Sequence, residues 1–113
     1  MTNTLISIAK QFSRTPAGRF KSDGPKSGEA FRDTILIPSL QKNAKITVDL
    51  NGALGFGSSF LEEAFGGLVR KGFSAEELNN RLVIKSGLST YSNRIWKYIS
   101  DAEQQKTNNR VTI

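Results

Sequence analysis

Neither cysteine nor histidine occurs in the 113 residues. That absence removes thiol nucleophiles, disulfides, imidazole acid–base chemistry and Cys/His zinc sites together. Long apolar runs are missing too. Ile35-Leu36-Ile37 is among the longest, far below the roughly 20 apolar residues that a membrane-spanning helix needs. Met1–Phe12 has no basic stretch leading into an apolar one, so no secretory signal is read there. The expectation is a cytosolic protein with one domain over residues 1–106 and a polar C-terminal tail over residues 107–113.

What is present suits a small globular domain: 37% of residues are hydrophobic and 23% are charged. Sixteen Lys/Arg against ten Asp/Glu give a net charge of +6. The excess is densest between Lys10 and Arg32, where six basic residues face only Asp23 and Glu29. Arg14, Arg19, Lys21, Lys26 and Arg32 are therefore candidate anion contacts, with Phe12 and Phe20 as stacking partners. The competing reading is a solvated loop.

Thr4–Ala9 reads as a first strand. Turn formers at Pro16-Ala17-Gly18 and Ser22-Asp23-Gly24-Pro25 bracket Arg19-Phe20-Lys21, which is predicted as a short strand in a hairpin with the first. Ser27-Gly28-Glu29 starts a helix, with a capping hydroxyl and an acid in the first turn; Pro38 kinks it or divides it in two. Lys45–Leu50 alternates and is β-branched, a strong strand signal. After a glycine-rich loop comes a helix over Ser58–Lys71, apolar at Phe60, Leu61, Ala64, Phe65, Leu68 and Val69, and Gly72 ends it. Ser74 and Glu77 form a capping box for a short helix. Leu82–Lys85 is a further strand, and Ser89–Lys106 a final amphipathic helix. The order strand–helix–strand–helix–strand–helix predicts an α/β fold: a small mixed β-sheet with a right-handed strand–helix–strand crossover.

The loop Asn51–Gly57 leads from a strand into a helix that opens on Ser58-Ser59. Gly52, Gly57 and Ser59 fall where a phosphate-binding loop has its glycines and hydroxyl, but Ser58 replaces the lysine that matches the phosphate charge. The dinucleotide glycine spacing also fails, so no cofactor is predicted. The stretch resembles the signature of STAS domains (sulfate transporter and anti-sigma-factor antagonist), in which a strand and loop lead to a serine pair whose first member is phosphorylated. Asp49-Leu50-Asn51-Gly52 matches the strand end, and Ser58-Ser59 the pair. Gly57 stands where those members have an acid, and Phe60 where they have a glycine.

The likeness is closer to a STAS-like family of bacterial and phage-associated proteins. Ser27-Gly28-Glu29-Ala30-Phe31-Arg32 and the run from Gly57 to Gly66 carry that likeness. The resemblance implies a STAS-like fold and a protein–protein regulatory role, as in partner switching beside a kinase-like ATPase. On it, Ser58 and Ser59 become candidate phospho-acceptors. The alternative for Ser58 is a plain helix N-cap, contributing about 1 kcal/mol.

Helical geometry puts the apolar face of Ser58–Lys71 near Leu68 and leaves a stripe of Ser59, Glu63, Gly66 and Arg70 opposite, with Gly67 beside it. Glycine on an exposed helix face costs up to about 1 kcal/mol relative to alanine. Glu63, Gly66, Gly67 and Arg70 are therefore a candidate partner surface, which another backbone approaches closely.

Glu62-Glu63 and Glu76-Glu77 diverge by about 100° on a helix and read as solvated; Asp49 reads as a polar strand exit that caps its loop. No enzyme and no metal site is predicted. The reading is a non-catalytic protein-interaction module, with nucleic-acid binding through Lys10–Arg32 as the alternative. Trp96 lies off the apolar face of the last helix, which suits an interface, including self-association.

Overall fold

The computed structural model describes residues 3–111. β1 (Asn3–Ser7), β2 (Lys45–Asp49) and β3 (Leu82–Lys85) form a sheet in the spatial order β1-β2-β3, parallel at both junctions. Register sets Leu5, Thr47 and Val83 in one row, and Ser7, Asp49 and Lys85 in the next row on the same face, two residues toward the strand C-termini. The alternation in Lys-Ile-Thr-Val-Asp buries Ile46 and Val48 and turns Thr47 to the other face.

After β1, the short helix α1 (Ile8–Gln11) begins at once, capped by the Ser7 hydroxyl. The first crossover is one continuous helical run: α2 (Gly28–Phe31), a π-helical turn (Arg32–Leu36) and α3 (Ile37–Lys42). The second has the same design, with α4 (Ser58–Leu61), a π-helical turn (Glu62–Gly66) and α5 (Gly67–Arg70), followed by α6 (Ala75–Arg81). The long helix α7 (Ser89–Val111) closes the described chain. Two steps in one direction across a parallel sheet, joined by right-handed connections, put both crossovers on the same face. Burial agrees. Ile6, Ile46, Val48 and Leu82 are buried, whereas Leu5 and Val83 on the opposite face are exposed.

The core lies between that covered face and the helices, built on Phe31, Phe60, Phe65, Leu68, Ile95 and Ile99. Phe12 packs 5.1 Å from Phe31 and 6.3 Å from Phe60, centroid to centroid, so it is a core side chain rather than a stacking platform. Tyr91, Trp96 and Tyr98 are partly buried against the same core. Trp96 therefore has a packing role inside its own chain.

The helix boundaries follow the sequence signals closely. Ser27 Oγ accepts the Ala30 N–H at 3.2 Å, and Ser74 Oγ accepts the Glu77 N–H at 3.0 Å. Gly72, at φ 117°, ends α5 while Gly72 N–H and Phe73 N–H bond back to the Val69 and Leu68 carbonyls. Pro38 does not break its helix. The wide turn before it moves the Ile37 N–H onto the Arg32 carbonyl, one residue beyond α-helical register, and the run continues.

Arg19-Phe20-Lys21 forms no hairpin strand. The Asp23 carboxylate accepts the N–H groups of Arg19 at 3.2 Å and Phe20 at 2.9 Å, closing a short 3₁₀ turn over Lys21–Asp23. The Gly18 and Arg19 carbonyls then bind the N–H groups of Gly28 and Glu29, fastening the segment to the start of α2 instead of to β1. Lost with that strand is the antiparallel member of the predicted mixed sheet. The α7 helix runs on to Val111, through residues read as a polar tail; Thr112 and Ile113 of that tail lie outside the described residues.

Candidate functional site

The loop after β2 is fastened at several points. Leu50 N–H donates to the Lys85 carbonyl at 2.9 Å, and Leu54 N–H to the Arg14 carbonyl at 2.8 Å. The Asn51 side-chain oxygen accepts the Gly87 N–H at 2.9 Å, tying this loop to the one that follows β3. Asp49 accepts the Asn51 N–H at 2.9 Å, so its carboxylate closes the strand exit as the sequence suggested. Gly52 turns at φ 95°, a conformation that side-chain-bearing residues avoid. Phe56 is buried and packs edge-on against Tyr91 at 5.2 Å.

These anchors leave two large apolar side chains outside. Leu54 is 77% exposed on the first loop, and Leu88 is 62% exposed on the second. Between the loops lies a shallow hollow of about 140 Å³, whose lining includes Leu54, Leu88, Gly87 and Tyr91. The Ser86 hydroxyl bonds both the N–H and the carbonyl of Leu88, which fixes the second loop tip. The first loop ends at Gly57, the N-cap of α4 in extended conformation. Ser58 and Ser59 follow as the first two helical residues, both exposed. Ser58 is therefore not the cap that the sequence allowed.

The stripe predicted as a partner surface is closed by the protein itself. Glu63, Gly66 and Gly67 are buried. A methyl group on Gly66 would meet the Glu62 carboxylate and, at 3.3 Å, the Tyr98 carbonyl of α7; one on Gly67 would meet the Arg32 guanidinium. The glycines do mark a close approach, but by α7 and by Arg32 of the first π-helical turn in the same chain. Of the stripe, Ser59 at the helix start and Arg70, with 46% of its side chain exposed, reach solvent.

Most of the basic segment is also engaged. Arg19 donates to Glu62 at 2.6 Å and to Glu63 at 3.2 Å. Arg70 forks onto Glu62 at 2.8 and 3.0 Å. Arg32, only 3% exposed, donates to Glu63 Oε2 at 2.5 Å, and its Nε bonds Asp33 at 2.9 Å; Lys21 reaches Asp33 at 3.2 Å. Lys26 sits 5.3 Å above the Phe12 ring. Of the five proposed anion contacts, Arg14 is the exposed cation with no such partner among the described residues. Arg19, Lys21 and Arg32 brace helices and do not form an open phosphate track. Glu62 and Glu63, read as solvated, are the acceptors of this network.

Burial disfavours the charge on Glu62, yet hydrogen bonds from Arg70 and Arg19 outweigh it and hold its pKa below the ordinary carboxylate range. Asp33 is shifted in the same direction against the same penalty by Arg32 and Lys21. Both carboxylates are thus fixed as anions inside ion pairs, a poor arrangement for proton transfer near neutral pH. Among the described residues, no group of three or more Asp/Glu side chains could hold a metal ion, and no helix is long and apolar enough to cross a membrane.

Sequence reasoning missed two features. Arg81 donates to the carbonyls of Ala44 and Asn43 at 3.0 and 2.9 Å and to that of Leu40, locking α6 onto the end of α3. Its signal was the Glu77–Arg81 spacing of four, which the structure uses at 2.6 Å. The exposed leucines at the loop tips were the other omission. No periodicity marks a leucine in a loop, though Leu54 between glycines was visible.

Residues 27–91, more than half of the chain, match the family model described as a STAS-like domain of unknown function (DUF4325). The match takes in both loops, the serine pair and both π-helical turns. No curated protein and no solved structure matches the chain.

Proposed function

The chain belongs to the STAS-like family, and on that footing we propose that it is a non-catalytic regulatory module that docks another protein at the loop end of its sheet. The observation that carries this reading is the pair Leu54 and Leu88, held out in solvent by loops that the Asn51–Gly87 hydrogen bond ties together. Burying one such side chain contributes about 1.5–3 kcal/mol, so two adjacent tips give a partner a useful apolar anchor without any rearrangement. The fixed loops lower the ordering cost of association.

Ser58 and Ser59 lie on the first of these loops' exits, exposed at the start of a helical run. A phosphoryl group on Ser58 would add about two negative charges where the helix dipole favours them, on the border of the docking surface. Control by a kinase-like ATPase, in the manner of partner switching, is the finer form of the proposal. Support for a non-catalytic role comes from the chemistry of the chain: no thiol or imidazole is encoded, and Glu62 and Asp33 are tied to cations.

The test compares proteins captured from the native host by wild-type chain and by the Leu54→Asp/Leu88→Asp variant. At least a tenfold drop in a specific partner is expected, with the melting temperature unchanged. Equal capture by both chains overturns the docking site. Intact mass of the chain from its host tests the regulatory part, where a pool heavier by one phosphoryl group is expected and its loss in Ser58→Ala assigns the position.

A further inference from the structure

All-parallel sheets are almost always covered on both faces, because crossover helices lie on each. Here both crossovers lie on one face, and the other carries Leu5 at 57% and Val83 at 51% exposure. These two flank Thr47 in a single row across the three strands. We propose that this open face is a second docking surface, for an acidic amphipathic helix supplied by a different polypeptide chain. It is independent of the loop-end site.

Dimensions favour a helix. Three strands about 4.8 Å apart span roughly the 10 Å width of one helix with side chains. The row of Leu5, Thr47 and Val83 offers it an apolar centre. At the C-terminal end of β1 and β2 the face deepens into a groove of about 510 Å³, lined in part by Leu5, Ser7, Lys10 and Asp49.

Charge selects the sign of the occupant. Lys45 lies at one end of the face, with Lys85 and Lys10 at the other, all exposed and without an ion pair among the described residues. Asp49, the one acid among the described residues of that face, accepts the Asn51 N–H and keeps its charge, so three cations stand against one anion. From the level of Lys45 to that of Lys85 is four residues of strand, or roughly 13 Å, which equals about nine residues of helix. Acids that share a helix face recur at seven and eleven positions, about 10.5 and 16.5 Å, which bracket that distance; a helix with an apolar stripe and acids at either spacing therefore meets both lysine ends. Nucleic acid would find no use for the leucine and valine between them.

A second copy of this chain fits poorly. Each copy carries +6, so like faces would bring their lysines together. The part of α7 beyond Ala102 offers no apolar stripe either, since residues 103–110 read Glu-Gln-Gln-Lys-Thr-Asn-Asn-Arg.

The test titrates the full chain, followed by NMR, with a synthetic 14-residue helical peptide bearing a leucine stripe and glutamates seven positions apart on one face. A control peptide carries lysine at the glutamate positions. Expected are shifts confined to β1, β2, β3 and the adjoining α1, affinity that falls with salt, and no binding of the control. The variant Lys45→Glu/Lys85→Glu should lose at least tenfold affinity for the acidic peptide and gain the lysine peptide. Both substitutions are at exposed sites, and circular dichroism checks that the fold is kept. No binding of the acidic peptide below 1 mM, shifts elsewhere, affinity indifferent to the charge swap, or dimerisation of the free chain through this face each overturns the proposal.

Discussion

Arg32 and Glu63 meet across the two π-helical turns: the buried guanidinium donates to the Glu63 carboxylate at 2.5 Å and to the carbonyl of the same residue at 3.1 Å. One contact thus joins the two crossovers at the point where each departs from α-helical register. Breaking such a pair from one side strands a buried charge, at a cost of about 3–5 kcal/mol, whereas replacing both members with apolar groups is often neutral. Arg32→Met is therefore expected to lose about that much stability in urea unfolding, and Arg32→Met/Glu63→Leu to regain most of it. A single-variant loss below ~1 kcal/mol, the usual worth of an exposed pair, would show that the contact is superficial.

Glycine substitutions should rank by what the new methyl meets. At Gly28 it runs into the Phe60 carbonyl and lies 3.2 Å from the Ala64 nitrogen, both backbone atoms that cannot swing away. At Gly67 the obstacle is the Arg32 side chain, and at Gly57 there is open space. Gly28→Ala is expected to cost about 1–3 kcal/mol or more, Gly67→Ala less, and Gly57→Ser nothing or a gain of a few tenths. Thermal denaturation of the three variants gives the order directly.

Serine-to-alanine changes separate caps from free serines. Ser27 and Ser74 cap their helices by hydrogen bonds, so each alanine variant is expected to lose about 1 kcal/mol. Ser58 is a first-turn residue behind the Gly57 cap, and Ser58→Ala should be within about 0.5 kcal/mol of wild type. A full cap-sized loss at Ser58 in chemical denaturation would restore it as the N-cap.

Acid should destabilise the chain through Glu62 and Asp33. Their folded pKa values lie below the unfolded ones, so their contribution is complete above the unfolded values and is lost as pH falls through the folded ones. Stability is thus expected to be level from neutrality down to about pH 5 and to decline below about pH 4. Glu62→Gln should be less stable near neutrality and show a shallower decline, measured by urea midpoints across the pH range. An acid slope identical to wild type would remove Glu62 as its source.

Much of the fold was readable because its signals are local. β2 announced itself by alternation, α5 by its terminal glycine, and the starts of α2 and α6 by capping serines. The Arg19–Lys21 hairpin strand failed because turn residues fix a bend but not the partner, and Asp23 folded the segment onto α2. The Gly66–Gly67 signal correctly reported a close neighbour. Helical periodicity alone could not show that α7 and Arg32 supply it, since both lie far away in sequence. The candidate site was half visible: the loop and serine pair were picked out by glycine pattern and family resemblance. The pairing of Leu54 with Leu88 depends on a hydrogen bond between residues 51 and 87, which no local pattern encodes.

Amide hydrogen exchange on the full chain, with and without the partner that the wild type retains, tests the loop-end site most directly. Slowed exchange is expected in residues 51–57 and 86–88, with the interior of the Phe60–Val69 helical run unchanged. Slowing that leaves both loops untouched and falls instead on the strands alone, or on the helices, would contradict it.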